Sequence, residues 1–354
     1  FFKKQNMKKK SLSVKKKILN LDLNKISNKK ILKIYREFKF FIKTTIKKEN
    51  QIAVAVSGGP DSLALAYLSK YLSLKEKIKV QFFIVDHGLR KNSQEEAKKV
   101  KFFLKKFDIN CQILLWSSKK PKSNIQSIAR KNRYELLLNN CKKNNIKHLL
   151  VGHHIDDLYE NFFIRLLRGS GLKGLTSFGK IAEEKNKNVL ILRPLINYEK
   201  NDLIFITKKV FNFYIEDPSN QNSDFQRTRI RNLISNLKKD GYDIEKFNLT
   251  IKNLKSSNDT INFYVNNNIK KNSTFINEKN ICFLNKYFFI QSNEVVFRSL
   301  SFILKSISSK YYSSRGKSIS ALITKIQKNI LYKATLGGCC IEKINETILI
   351  IKEN

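Results

Sequence analysis

The chain is poor in the residues that punctuate or staple a fold. Its 354 residues include 4 Pro, 12 Gly and 1 Trp. There is no Gly/Pro-rich tract of the kind that marks disordered or low-complexity chains. The five cysteines (Cys111, Cys141, Cys282, Cys339, Cys340) are odd in number and contain no CxxC pair. That pattern implies no disulfide framework, zinc site or iron–sulfur site, and it fits a reducing compartment. No apolar run is long enough to span a bilayer. The first 50 residues lack the apolar core of a secretory signal. They hold 16 Lys and one Arg against Asp22, Glu37 and Glu49, a net of +14. The expected setting is the cytoplasm of a bacterium with an AT-rich genome, with a plastid as the alternative.

Acidic residues are also scarce: 29 Asp and Glu face 69 Lys and Arg, a net charge of +40. Two explanations compete. Lys, Asn, Ile and Phe all have AT-rich codons, so mutational drift alone fills a surface with lysine. Alternatively the excess answers a polyanionic partner, since Lys and Arg neutralise phosphates. Arginine discriminates better. There are only 12, and nine lie between Arg90 and Arg231. In a lysine-rich chain, retained arginines suggest planar, bidentate contacts to phosphate or carboxylate. All four histidines (His87, His148, His153, His154) fall in the same stretch.

Residues 1–26 read as a basic arm. Helical spacing of apolar residues over 31–48 is followed by a change of period. Ile52 to Val56 is a continuous apolar run, as expected of a strand buried on both faces. Strands then alternate with helices: 79–85, 111–116, 148–152 and 189–192 against 61–73, 93–107, 124–143, 156–168 and 199–211. This alternation predicts an α/β fold with a doubly wound, mostly parallel, Rossmann-like sheet. Ligands in such sheets bind beyond the carboxyl ends of the strands. From about residue 246 the character changes to polar helical stretches and a late strand pair, 334–342 and 347–352. The expected division is therefore a domain over 27–245 and a smaller, helix-rich domain over 246–354.

Four constellations sit at strand ends. Ser57-Gly58-Gly59-Pro60-Asp61-Ser62 joins a strand to a helix, so backbone N–H groups and the helix dipole face an incoming anion. Gly58 and Gly59 allow close backbone approach, and Ser57 and Ser62 add hydroxyls. It is neither a Walker loop nor a GxGxxG loop. Asp61 would repel phosphate unless it holds a magnesium ion or caps the helix, and both remain open. The second is Asp86-His87-Gly88-Leu89-Arg90, a wall for a nucleotide with Arg90 available to phosphate. The third places Arg130 and Arg133 on one helix face. The fourth is Gly152-His153-His154-Ile155-Asp156-Asp157-Leu158-Tyr159-Glu160-Asn161, leading into Arg165 and Arg168-Gly169-Ser170-Gly171. Asp157 and Glu160 lie one turn apart, with His153 just before the helix. Two carboxylates and an imidazole suit either a metal or a cationic amine.

The first loop resembles the SGGxDS signature of the PP-loop ATP pyrophosphatases. The fourth stretch resembles the GHHxDDxxET…RxxRGSGxxGL motif of the lysidine synthetase family. Arg193-Pro194-Leu195, Glu216-Asp217-Pro218-Ser219-Asn220, Arg227-Thr228-Arg229-Ile230-Arg231 and Thr335-Leu336-Gly337-Gly338-Cys339 are similar to that family too. The matched motifs run in order from Ser57 to Cys339. Leu158 stands where Gln is usual, Asn161 where Thr is, Thr228 where Asn is and Phe178 where Met is.

The resemblance implies ATP and Mg²⁺, free L-lysine, and a tRNA(Ile) with a CAU anticodon. ATP would be held by Ser57 to Ser62, His87 and Arg90, with a magnesium contact at Asp61. Asp61, Arg133, His153 and Asp157 would be catalytic. Lysine would meet Asp157, Glu160 and His153, and either His153 or a carboxylate would take its proton. Arg130, Arg168, Arg193, Arg227, Arg229 and Arg231 would contact tRNA or phosphate, with residues 246–354 as a tRNA-binding domain. A homodimer is implied by the family only. The competing classes are a PP-loop thiolase, a small-molecule PP-loop ligase and a catalytically dead tRNA-binding protein. The first lacks its cysteines here, the second lacks the Asp157/Glu160 stretch, and the third is at odds with the intact acidic residues.

Overall fold

The computed structural model describes residues 28–47, 49–89, 92–117, 125–184, 188–216, 226–276, 280–308 and 314–353. The expected basic arm, Arg90, and the 217–220 part of the acidic turn lie outside the described residues. The chain divides into two compact units, one ending at Gly241 and the other beginning at Tyr242.

The first unit opens with α1 (Lys29–Ile46), capped by the Asn28 side chain. Then come β1 (Gln51–Val56), α2 (Pro60–Glu76), β2 (Lys79–Asp86), α3 (Ser93–Lys105), β3 (Cys111–Leu115), α4 (Ile125–Lys143), β4 (His148–Leu150) and α5 (Ile155–Leu166). The single-turn α6 (Leu172–Leu175) leads to β5 (Ile181–Glu184), β6 (Val189–Leu192), α7 (Lys200–Phe211) and α8 (Gln226–Lys239). The sheet order is β3-β2-β1-β4-β6-β5. Every pair in it is parallel except β5 with β6. β5 was not expected. It is a hairpin partner at the sheet edge, and its two glutamates hide it from an apolar-run criterion.

The strands alternate between two cores. Ile52, Val54, Val56, Phe82 and Ile84 pack with α1, α2, α3 and α7 on one face. Ala53, Phe83, Leu149, Val151 and Ile191 pack with Leu137, Leu138 and Cys141 of α4 on the other. Burial on both faces is why β1 reads as an unbroken apolar run. The strand order reverses between β1 and β4, which opens a crevice at their carboxyl ends. The loops after β1, β2 and β4 all converge there.

The second unit contains α9 (Ile244–Asn272), which runs unbroken through residue 246, then β7 (Ser273–Ile276) and β8 (Ile281–Leu284). α10 (Asn293–Ser308), α11 (Gly316–Gln327), β9 (Lys333–Leu336), β10 (Cys339–Ile344) and β11 (Thr347–Lys352) follow. The five strands form an antiparallel sheet in the order β7-β8-β11-β10-β9, and α10 and α11 pack their apolar faces on it. The expected strand over 334–342 is in fact two. Gly337 (φ 67°) and Gly338 (φ 82°) turn the chain between β9 and β10, a left-handed conformation open to glycine at little cost.

All five cysteines are free; four are buried and Cys340 is half-buried. Burial pushes the Cys111 and Cys141 thiols up to about 12. No helix among the described residues is long and apolar enough to cross a membrane.

Candidate active site

The crevice at the β1/β4 switch is a cleft of about 380 Å³. Ser57, Asp61 and Ser62 line it from the first loop, His87 from the second, Arg130 and Arg133 from α4, and His153 and Asp157 from the β4–α5 junction. Arg227 of α8 lines it as well. Five segments that are distant in sequence thus meet where the topology predicts a ligand.

The Ser57–Ser62 loop holds its own shape. Ser62 Oγ accepts from Ser57 N (3.1 Å) and donates to Gly59 O (2.9 Å). Gly58 has φ 86°, and a Cβ there would sit 2.6 Å from Val100. Gly152 closes the loop from behind, because a Cβ on it would lie 2.9 Å from the backbone of Asp61. Only glycine lets the β4 end approach α2 this closely. The N-cap of α2 is Gly59, with no side-chain cap and with Pro60 in the first turn. The amides of this turn therefore remain for an anion.

Asp61 does not cap α2. Its Oδ1 is buried with no partner, and its Oδ2 lies 3.7 Å from His154 Nε2. Burial pushes its pKa up to about 6, against the pull of His154. Among the described residues, no three His, Cys, Asp or Glu side chains come together as a metal ligand set, so the His153, Asp157 and Glu160 grouping does not form a metal centre of its own.

The two histidines point to different neighbours, as adjacent residues leaving a strand do. His153 Nδ1 accepts from Arg193 Nε at 3.1 Å, and its ring packs edge-on against Phe178. Burial, followed by Arg193, Arg130 and Arg133, pushes its pKa down to about 3 in spite of Asp157. It is a neutral imidazole. His154 received no role from its sequence position. It lies 3.4 Å from Asp156 Oδ2 through Nδ1, and 3.6 Å from Asp157 Oδ2 through Nε2. Burial would lower its pKa, but Asp156, Asp157 and Asp61 together raise it. Asp157 Oδ2 accepts from His154 N at 3.0 Å. Burial disfavours its charge, yet His154 and His153 hold its carboxyl below the usual range.

Glu160 faces elsewhere. It is 3% exposed, its Oε1 is paired with Arg231 Nε of α8, and its Oε2 is buried without a partner. Burial pushes its carboxyl up, against Arg231. It lines a separate cavity of about 220 Å³, which Asp156, Lys200 and Arg231 share.

The arginines also separate. Arg130 and Arg133 are half-buried in the cleft and flank the Tyr134 ring at 5.2 and 5.6 Å. Arg229 is exposed. Arg168 is exposed and donates to Gln226 at 2.6 Å. Arg193, expected at RNA, is instead buried behind His153, with Nη1 on Gly179 O (2.9 Å) and its guanidinium 4.6 Å from the Phe178 ring. The unusual residues at two motif positions are accommodated by these contacts. Phe178 forms the apolar wall that His153 and Arg193 stack on, and Asn161 Oδ1 accepts from Arg165 Nε at 2.9 Å.

Comparison with known proteins agrees with this geometry. The PP-loop domain family matches residues 23–237. The tRNA(Ile)-lysidine synthase of Wolbachia sp. subsp. Brugia malayi (strain TRS) is 36% identical over 315 residues, 86% of this chain and 71% of that protein. The enzyme of the same name from Orientia tsutsugamushi (strain Boryong) is 36% identical, covering 86% of this chain and 70% of its own length. That from Rickettsia felis is 32% identical, covering 90% and 74%. Among solved structures, the U34-tRNA thiolase NcsA from Methanococcus maripaludis shares the fold. Its TM-score is 0.51 at 20% identity, over 60% of this chain and 74% of that one. The chain belongs to the tRNA(Ile)-lysidine synthase family of PP-loop ligases.

Proposed function

We propose that the protein ligates free L-lysine to C2 of the wobble cytidine in the CAU anticodon of tRNA(Ile), consuming ATP and releasing AMP and pyrophosphate. In the first step the cytosine O2 attacks the α-phosphate of ATP, the α–β phosphoanhydride bond breaks, and pyrophosphate departs. In the second the ε-amine of lysine attacks C2 of the adenylated base, and AMP leaves with the C2–O bond. The observation that carries this reading is the convergence of the Ser57–Ser62 loop, Arg133 and Asp157 on one cleft.

The α2 amides with Ser57 and Ser62 would hold the departing pyrophosphate. Arg130 and Arg133 would offset the charge that builds on the transferring phosphoryl group. The buried, unpartnered Asp61 Oδ1 fits a magnesium contact, and magnesium bound there with ATP would add Lewis-acid neutralisation of the phosphates.

Lysine arrives as a cation, with a side-chain pKa near ~10.4. The ionised Asp157 attracts the ammonium and accepts its hydrogen bond. An ammonium has no lone pair, so one proton passes to solvent before the free amine attacks C2. The nitrogen becomes a strong acid as it bonds, and the carboxylate takes a second proton then. His153 is poorly suited to that task, because Nδ1 is filled by Arg193 and the ring resists protonation. It serves as a neutral N–H donor on the cleft wall. Exposed Arg168, Arg227 and Arg229 suit tRNA phosphates, and the unit beyond Gly241 would extend the RNA contact.

The test is AMP formation from ATP with tRNA and lysine supplied singly and together. AMP should appear in quantity only with both, and lysidine should be found in the digested tRNA. AMP release that ignores lysine would overturn the assignment.

A further inference from the structure

The first helix carries a charged stripe that the reaction cleft does not use. Successive residues of an α-helix turn by about 100°, which places Lys29, Lys33, Arg36, Phe40 and Lys43 of α1 within about 40° of one line along its surface. All five are exposed, Phe40 at 72%. No acidic residue falls on that line. The opposite face is committed to the core, where Ile31, Phe38 and Ile42 are fully buried.

Three of the four cations are not neutralised within the fold. Lys43 pairs with Glu76, but Lys29, Lys33 and Arg36 make no ion pair among the described residues. The acids beside the stripe are already engaged: Glu37 accepts from Tyr198 Oη at 2.5 Å, and Asp202 pairs with Lys30 at 2.6 Å. Those two contacts tie the start of α1 to the start of α7. A hollow of about 340 Å³ lies along the first turns of α1, lined by Lys29, Lys33 and Arg36 among others. Arg36 is also one of the few arginines in a lysine-rich chain, and arginine suits planar, bidentate phosphate contacts. Lys29 and Arg36 lie about 10 Å apart along the axis. The charges therefore form a row, which fits a polyanion better than a single phosphate.

By charge alone, a basic helix with an exposed aromatic ring suits an anionic bilayer as well as RNA. A bilayer needs an apolar helix face to bury, and the apolar face of α1 is already in the core. What remains outside is a row of cations and one phenyl ring, the combination that tracks a nucleic-acid backbone and stacks a base. We propose that the α1 stripe binds the phosphodiester backbone of the tRNA, with Lys29, Lys33 and Arg36 on phosphates and Phe40 stacked on an unpaired base. Backbone contacts hold and orient an RNA without reading its sequence. The stripe thus governs affinity for tRNA in general rather than the choice among tRNAs. The inference rests on the reading that tRNA is a substrate.

The experiment measures filter binding of the full chain to a tRNA(Ile) transcript over a series of salt concentrations. It compares the wild type with the triple variant Lys29→Gln/Lys33→Gln/Arg36→Gln, with Arg36→Lys and with Phe40→Ala. The altered side chains are all exposed, so the fold should be unaffected. Each lost phosphate contact should lower the slope of log affinity against log salt by about 0.7. The triple variant should therefore lose about two units of slope and bind at least about tenfold more weakly at low salt. Arg36→Lys should keep the slope, and Phe40→Ala should weaken binding about tenfold at an unchanged slope. The triple variant should lose the same factor with an unrelated tRNA. A triple variant with the wild-type slope overturns the proposal; if it has instead lost binding to phosphatidylglycerol vesicles, the stripe faces lipid. A wild type that binds no tRNA at any salt sinks the functional reading itself, an outcome separate from any change in slope.

Discussion

Arg193 Nε donates to His153 Nδ1 at 3.1 Å, so the imidazole faces the cleft with its other nitrogen protonated. The hydrogen bond fixes the tautomer, and burial with three arginines fixes the charge. Folded His153 stays neutral down to about pH 3, whereas an unfolded histidine protonates near ~6.5. Between those values the unfolded chain binds more protons, so stability falls as pH falls through the window. Urea midpoints measured from pH 7 to pH 4 should drop less steeply in His153→Gln than in wild type. Equal slopes would show that the ring is not held neutral.

The Glu160–Arg231 pair ties α5 to α8. Arg231→Met leaves a nearly fully buried carboxylate without its cation and should cost about 3 kcal/mol of unfolding free energy. Glu160→Gln in the same background should recover part of that loss. The double-mutant cycle from denaturant titration reads the coupling, and strictly additive losses would mean the pair is solvated.

Gly152→Ala should damage the site with little damage to the fold. Its Cβ would meet the Asp61 backbone at 2.9 Å and push the phosphate loop off position. Misplacement on that scale costs on the order of a hundredfold in rate. Pyrophosphate release should fall by that factor while the thermal midpoint moves by only a few degrees.

Asp61→Ala should abolish pyrophosphate release, because it removes a buried, unpartnered carboxylate oxygen at the cleft, the group proposed to meet magnesium. Raising magnesium should not rescue it. A variant that regained activity at high magnesium would instead point to a purely structural aspartate.

Binding of tRNA should weaken steeply as salt rises, since a chain of net charge +40 releases counterions when it meets a polyphosphate. Filter-binding affinities at a series of salt concentrations give the slope. A flat response would mean the lysine excess is only compositional.

Much of the first unit is legible in sequence because parallel strands buried on both faces leave continuous apolar runs such as Ile52 to Val56. β5 is not, since an edge strand ending in two glutamates carries no such run. The second sheet is hidden for a related reason: its strands are short, and Gly337 and Gly338 turn what reads as one strand into two. At the site, spacing correctly places Asp157 and Glu160 one turn apart on a helix. A three-residue step still leaves them about 60° apart around the axis, and that offset separates the cleft from the second cavity. Nothing in a His-His pair tells which ring meets the arginine and which meets the carboxylates. Nor does sequence show that Lys200, the first residue of α7, is brought opposite Glu160.

His154 touches Asp61 on the cleft side and Asp156 on the cavity side. Charge arriving at either place acts on the same ring, so the two sites share an electrostatic ground. Linkage makes such sharing mutual: whatever factor a ligand in the cleft imposes on the affinity of one in the cavity, the second returns to the first. Occupants of the two places would then sense one another through a single buried imidazole, with no movement of the backbone between them.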